Sequence, residues 1–64
     1  MAITIKAARI NSGYSQSEVG EKVGKSKNTV ANYESYTTVP DIKTAQAMAE
    51  MFGMTLDDII WTRD

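Results

Sequence analysis

A chain of 64 residues that contains neither cysteine nor histidine must hold itself together by side-chain packing alone. Disulfides and Cys/His zinc sites, the usual staples of domains this small, are excluded. A domain of this size buries only about 60% of the surface its unfolded chain exposes, so stability has to come from good helix packing or from self-association. The length leaves room for one domain, residues 1–64, and no second. The missing cysteines fit a reducing compartment. No stretch approaches the ~18 consecutive apolar residues of a membrane span, and no basic stretch followed by an apolar one opens the chain. A cytoplasmic location is the expectation.

Capping signals divide the sequence into five helical pieces. The first runs from about Ile3 to Ser12, with Ile5, Ala8 and Ile10 able to face inward, and Gly13 follows it. The second opens at Ser15-Gln16-Ser17-Glu18, a capping box, carries Val19 and Val23 on one face, and stops at Gly24. The third has Ser26 as N-cap and runs to about Ser35, with Val30 and Tyr33 inward. Val39-Pro40 then breaks the chain. The fourth starts at Asp41 and repeats Ile42, Ala45, Met48, Ala49 and Phe52 at helical spacing until Gly53. The fifth is short, capped by Thr55, with Leu56, Ile59 and Ile60 apolar. No run alternates as a strand would. The expected fold class is therefore all-α: a compact five-helix domain with a helix-turn-helix formed by helices 2 and 3.

That second-and-third pair carries the chemistry. Two short helices joined through Gly24 and a brief connection meet at a steep angle. Gly20 lies on the inner side of the second helix, where it allows close approach of the third. The third helix projects Lys27, Asn28, Ala31 and Asn32 outward. Charge is unevenly spread. Residues 1–33 set five basic residues (Lys6, Arg9, Lys22, Lys25, Lys27) against Glu18 and Glu21, a net of +3. Residues 34–64 set Lys43 and Arg63 against six acidic residues, a net of −4. A polyanion meets the N-terminal half first and is repelled by the other.

From Ile5 to Ile60 the sequence resembles the phage Cro/CI repressor family of helix-turn-helix proteins, the xenobiotic-response-element family of transcriptional regulators. The stretch Ser15–Glu34 carries the likeness: Gln16 opening a helix, small Gly20, turn Gly24, apolar Val30 and acidic Glu34. The segment from Pro40 to Ile60 is similar to the family's closing helix pair. The resemblance implies a third helix lying in the major groove of double-stranded DNA, with Lys27, Asn28 and Asn32 at base edges. It implies that Gln16 and Ser26 touch phosphates or orient the reading side chains, and that Arg9 and Glu34 form a charged pair tying the first helix to the end of the third. Base chemistry agrees, since Asn pairs bidentately with adenine N6/N7, Lys donates to guanine O6/N7, and Ala31 suits a thymine methyl. Lys22, Lys25 and Thr29 join the phosphate or orienting group, the two lysines because they flank the turn. Two departures stand out. Lys25 replaces an apolar residue, so its stem is expected over the core. Tyr36 stands where Gly is common, and a positive φ there is strained for Tyr, so that corner is expected to differ.

The sequence thus reads as a DNA-binding transcriptional regulator, a repressor of phage or mobile-element kind. The absence of His, of a Cys nucleophile and of a Gly-rich phosphate loop after a strand argues against an enzyme. No cofactor, metal, membrane or small-molecule ligand is indicated. A palindromic operator and a homodimer on DNA are expected, with Met51, Ile60 and Trp61 as the dimer surface; the competing reading has Trp61 folded back on its own core. Met48, Met51 and Met54 otherwise read as helix packing. The alternative function is a protein-interaction module, antitoxin-like or anti-repressor, that keeps the fold without strong DNA binding. The acidic second half is its support.

Overall fold

A computed structural model of the chain describes residues 1–63. Its elements are β1 (Ile3–Thr4), α1 (Ile5–Asn11), α2 (Gln16–Val23), α3 (Lys27–Glu34), α4 (Ile42–Met51), a 3-10 turn (Leu56–Asp58) and β2 (Ile59–Ile60). Each α-helix begins where a side chain takes over an orphan amide of its first turn. Thr4 Oγ1 accepts from the Ala7 N–H at 3.1 Å, and Ser26 Oγ accepts from the Thr29 N–H at 3.1 Å. Asp41 Oδ1 accepts from the Thr44 N–H at 2.8 Å, and the hydrogen bonds from Thr44 hold the Asp41 carboxyl below the ordinary aspartate value of 3.8. At α2 the capping box is complete, with the Glu18 N–H on Ser15 Oγ (3.1 Å) and the Ser15 N–H on Glu18 Oε1 (2.8 Å).

The core gathers at least one residue from every helix. Ile5 and Ala8 come from α1, Val19 from α2, Val30 and Tyr33 from α3, and Met48 and Ala49 from α4, with Phe52 and Ile59 closing it. Met51, Met54 and Val23 are half-buried against this cluster, so the methionines pack as read. Ile10 and Ile42, expected inside, are instead 55% and 66% exposed. Ile10 lies two residues beyond Ala8, about 200° round the helix and thus off the face that Ile5 and Ala8 define. Ile42 is the first residue of α4, whose buried face begins only at Thr44 and Ala45.

The all-helical expectation needs two corrections. The fifth helix is a single 3-10 turn, so the described residues hold four α-helices. The residues on either side of the helical body pair as a two-stranded parallel sheet, Ile3 with Ile59 and Thr4 with Ile60. The first helix accordingly starts at Ile5 rather than Ile3. A two-residue strand is too short to show alternation, which is why the pattern was silent. Tyr36 is the other surprise. Its φ is +62°, so the corner after α3 keeps the left-handed turn that the sequence argued against. Such a conformation costs a non-glycine residue of order 1–3 kcal/mol and persists only when its surroundings over-determine it. Here the Tyr36 hydroxyl donates to the Ile60 carbonyl at 2.8 Å while the ring packs on the core.

The α2–α3 connection depends on two glycines. Gly24, at φ +74°, ends α2, and the N–H groups of Gly24 and Lys25 both return to the Gly20 carbonyl. A Cβ on Gly20 would lie 2.6 Å from the Lys25 carbonyl oxygen and 3.2 Å from the Ser26 carbonyl carbon. The close approach is therefore by the backbone of the turn that launches α3. Gly20→Ala should destabilise the domain by about 1–3 kcal/mol in urea unfolding. Helix propensity alone favours Ala by about 1 kcal/mol, so a more stable variant would show that the close approach imposes nothing.

Candidate nucleic-acid interface

The exposed face of α3 follows from helical spacing. Lys27 and Ala31 are four residues apart, as are Asn28 and Asn32, which puts all four on one side. Val30 and Tyr33 take the opposite side into the core. Lys27, Asn28 and Asn32 are exposed and Ala31 half-buried, leaving a compact polar surface of amides and one ammonium group. Ser26 caps the helix through the Thr29 N–H, and its hydroxyl also lies 2.9 Å from Thr29 Oγ1. These two hydroxyls fix the end of the helix from which Lys27 and Asn28 project, which is an orienting arrangement.

The opposite end of α3 is fixed by an ion pair. Arg9 Nε donates to Glu34 Oε2 at 2.5 Å and Arg9 Nη2 to Glu34 Oε1 at 3.2 Å, a forked contact. The side chains are only 12% and 5% exposed, so this is a largely buried pair. Arg9 Nη1 donates as well to the Tyr14 carbonyl at 2.8 Å. Gln16 Nε2 donates to Glu34 Oε1 at 3.1 Å. The side-chain amide of Gln16 thus faces inward to Glu34. Its backbone N–H and that of Ser17, the first two of α2, have no acceptor within the helix and remain able to meet an anion. The part Gln16 plays in the ion-pair network was not legible from its place at a helix start, because the partner is on another helix.

Lys22 and Lys25 lie on the flank of this unit, at the end of α2 and in the turn after it. Lys22 and Lys25 are exposed. Both line a groove between the end of α2 and the start of α4, together with Val23, Asp41, Thr44 and Lys43. Lys25 and Lys43 stand near enough to Asp41 to add smaller pulls to the lowering of its carboxyl pKa. Lys43 was missed because nothing in the linear sequence puts it beside Lys22. Of the residues expected in a dimer surface, Ile60 is exposed, whereas Met51 and Trp61 are half-buried. Trp61 Nε1 donates to the Leu56 carbonyl of its own chain at 2.9 Å, so the ring folds back onto the core and keeps only part of its surface outside. Among the described residues no helix is long and apolar enough to cross a membrane.

Known proteins match the sequence of this chain. A family model described as helix-turn-helix matches residues 5–59. The uncharacterized HTH-type transcriptional regulator YgzD of Bacillus subtilis (strain 168) is 35% identical over 60 residues, covering 94% of this chain and 91% of that protein. The cryptic phage CTXphi transcriptional repressor RstR of Vibrio cholerae is 29% identical over 56 residues, covering 88% of this chain and 50% of that protein. No solved structure gives a significant match.

The ion pair yields a direct expectation. Glu34→Ala leaves the Arg9 guanidinium without its counter-charge and should cost about 3–5 kcal/mol in urea unfolding, while Arg9→Met/Glu34→Leu together should recover much of that loss. A single-variant loss below about 1 kcal/mol would mean the pair behaves like an ordinary surface contact.

Proposed function

This chain belongs to the helix-turn-helix family, and from that premise we propose that it binds a specific site on double-stranded DNA and regulates transcription there. The observation that carries the reading is the polar face of α3, with Lys27, Asn28 and Asn32 exposed together on a helix fixed at both ends. A helix of this width fits the major groove, where adenine and guanine present the acceptor and donor patterns that Asn and Lys side chains match. Gln16, Ser26 and Thr29 hold or flank this face, and Lys22 and Lys25 serve the phosphates, which position the protein without reading sequence. The role is non-catalytic and cytoplasmic. A repressor of phage or mobile-element type is favoured, since one relative is named as a phage repressor.

Two copies on a palindromic operator complete the proposal. One eight-residue recognition helix spans only a few base pairs, so joining two half-sites about one helical turn apart gives the affinity a single copy lacks. Exposed Ile60, next in sequence to the half-buried Trp61, is the apolar surface offered for that pairing, and half-buried Met51 is a further candidate on the α2–α4 side of the domain.

Selection of bound sites from random duplexes tests the reading. A recurrent two-fold motif is expected, with two chains per duplex at saturation in the ultracentrifuge. On that motif Asn28→Ala and Asn32→Ala should each lose about 1–3 kcal/mol of binding and relax the preference at one position per half-site. A chain that enriches no duplex would be a protein-interaction module instead, and one chain per non-palindromic duplex would remove the dimer.

A further inference from the structure

The strained residue of the fold sits directly behind the helix proposed to read DNA. Tyr36, at φ +62°, follows the C-terminal end of α3, and its hydroxyl donates to the Ile60 carbonyl at 2.8 Å. One residue earlier, the Ser35 carbonyl at the α3 C-cap accepts from Arg63 Nη2 at 3.0 Å. Both contacts run from the end of α3 to the segment formed by β2 and the residues after it. Ile60 is itself paired with Thr4, the residue that caps α1. The end of α3 is thus gripped twice: Glu34 by Arg9 and Gln16, and Ser35 and Tyr36 by the C-terminal segment.

A glycine at position 36 would take the same φ without strain. It would carry no hydroxyl to reach Ile60. We infer that Tyr36 and Arg63 are positioning residues that set the angle of α3 on DNA by tying its C-terminal end to the β2 segment. The inference rests on the DNA-binding reading above. On this account the C-terminal segment contributes to base reading without touching a base. The same Ile60 that offers its side chain to a second copy holds the recognition helix through its carbonyl.

The test separates base reading from phosphate binding. A tilted α3 loses base contacts, while the sequence-independent attraction to phosphates survives. For Tyr36→Phe, affinity for the selected duplex should fall about tenfold, with affinity for an unrelated duplex at low salt and the salt slope both unchanged. Exchange of the last amides of α3 should accelerate in the same variant, measured far below its melting temperature. Arg63→Gln, an exposed change that leaves folding intact, should lower the specific-to-unrelated ratio in the same direction by about threefold. If Tyr36→Phe does not fold, the Arg63→Gln ratio alone decides. Equal ratios for parent and foldable variants overturn the inference and leave the DNA reading standing. A loss shared by specific and unrelated DNA with a shallower salt slope at Arg63→Gln also overturns it, by making Arg63 a phosphate contact. A parent chain that selects no duplex defeats the DNA reading itself.

Discussion

The Glu34 carboxylate accepts three hydrogen bonds from two other helices, two from Arg9 on α1 and one from Gln16 on α2. Glu34 is the last residue of α3, so one buried side chain joins α1, α2 and α3. A carboxylate this far from water is tolerated only when opposite charge and hydrogen bonds replace its hydration. The forked guanidinium supplies both with a fixed direction. That geometry does more for orientation than for net stability: an apolar replacement could fill the space, but it would not fix where α3 ends relative to α1 and α2. This end, and the Ser26 cap at the other, fix how the polar face of α3 is presented, as the proposed reading of DNA requires.

The rest of the structure shows how a chain without covalent staples reaches the same goal by small, local devices. Caps on all four helices satisfy amides that a 64-residue domain has no second layer to bury. Gly20 lets the turn backbone of Lys25 and Ser26 come within contact of α2, so α3 starts directly against that helix. The β1–β2 pairing joins the two ends of the described chain and closes the core with Ile59. Each device is worth little alone. Together they make up the small margin on which a domain of this size is folded.

What could be read in the sequence was what local chemistry dictates. Ser15, Ser26 and Asp41 announced helix starts because a cap needs only the residue and the amides three positions on. The inward Val19, Val30, Tyr33 and Met48 followed from spacing. The Arg9–Glu34 pair was legible only through the family resemblance, since nothing in the linear chain joins them. What stayed hidden was nonlocal. Ile3 and Ile59 pair from opposite ends of the chain, Gln16 turns to a carboxylate on another helix, and Lys43 joins Lys22 across a groove. Tyr36 was misjudged because the steric cost of its φ is local, whereas the hydrogen bond and packing that offset it are tertiary. Ile42 was misjudged because periodicity gives a face, and a face does not say how far along a helix the core extends.

Under the proposal, α3, held by Glu34 at one end and Ser26 at the other, presents Lys27, Asn28 and Asn32 to the major groove. Methylation interference on a selected duplex tests it most directly. Methyl groups on guanine N7 project into the major groove and those on adenine N3 into the minor groove. The account predicts that methylation at guanine N7 within each half-site abolishes binding while methylation at adenine N3 there leaves it intact. Interference confined to adenine N3, with guanine N7 methylation tolerated throughout, would contradict it.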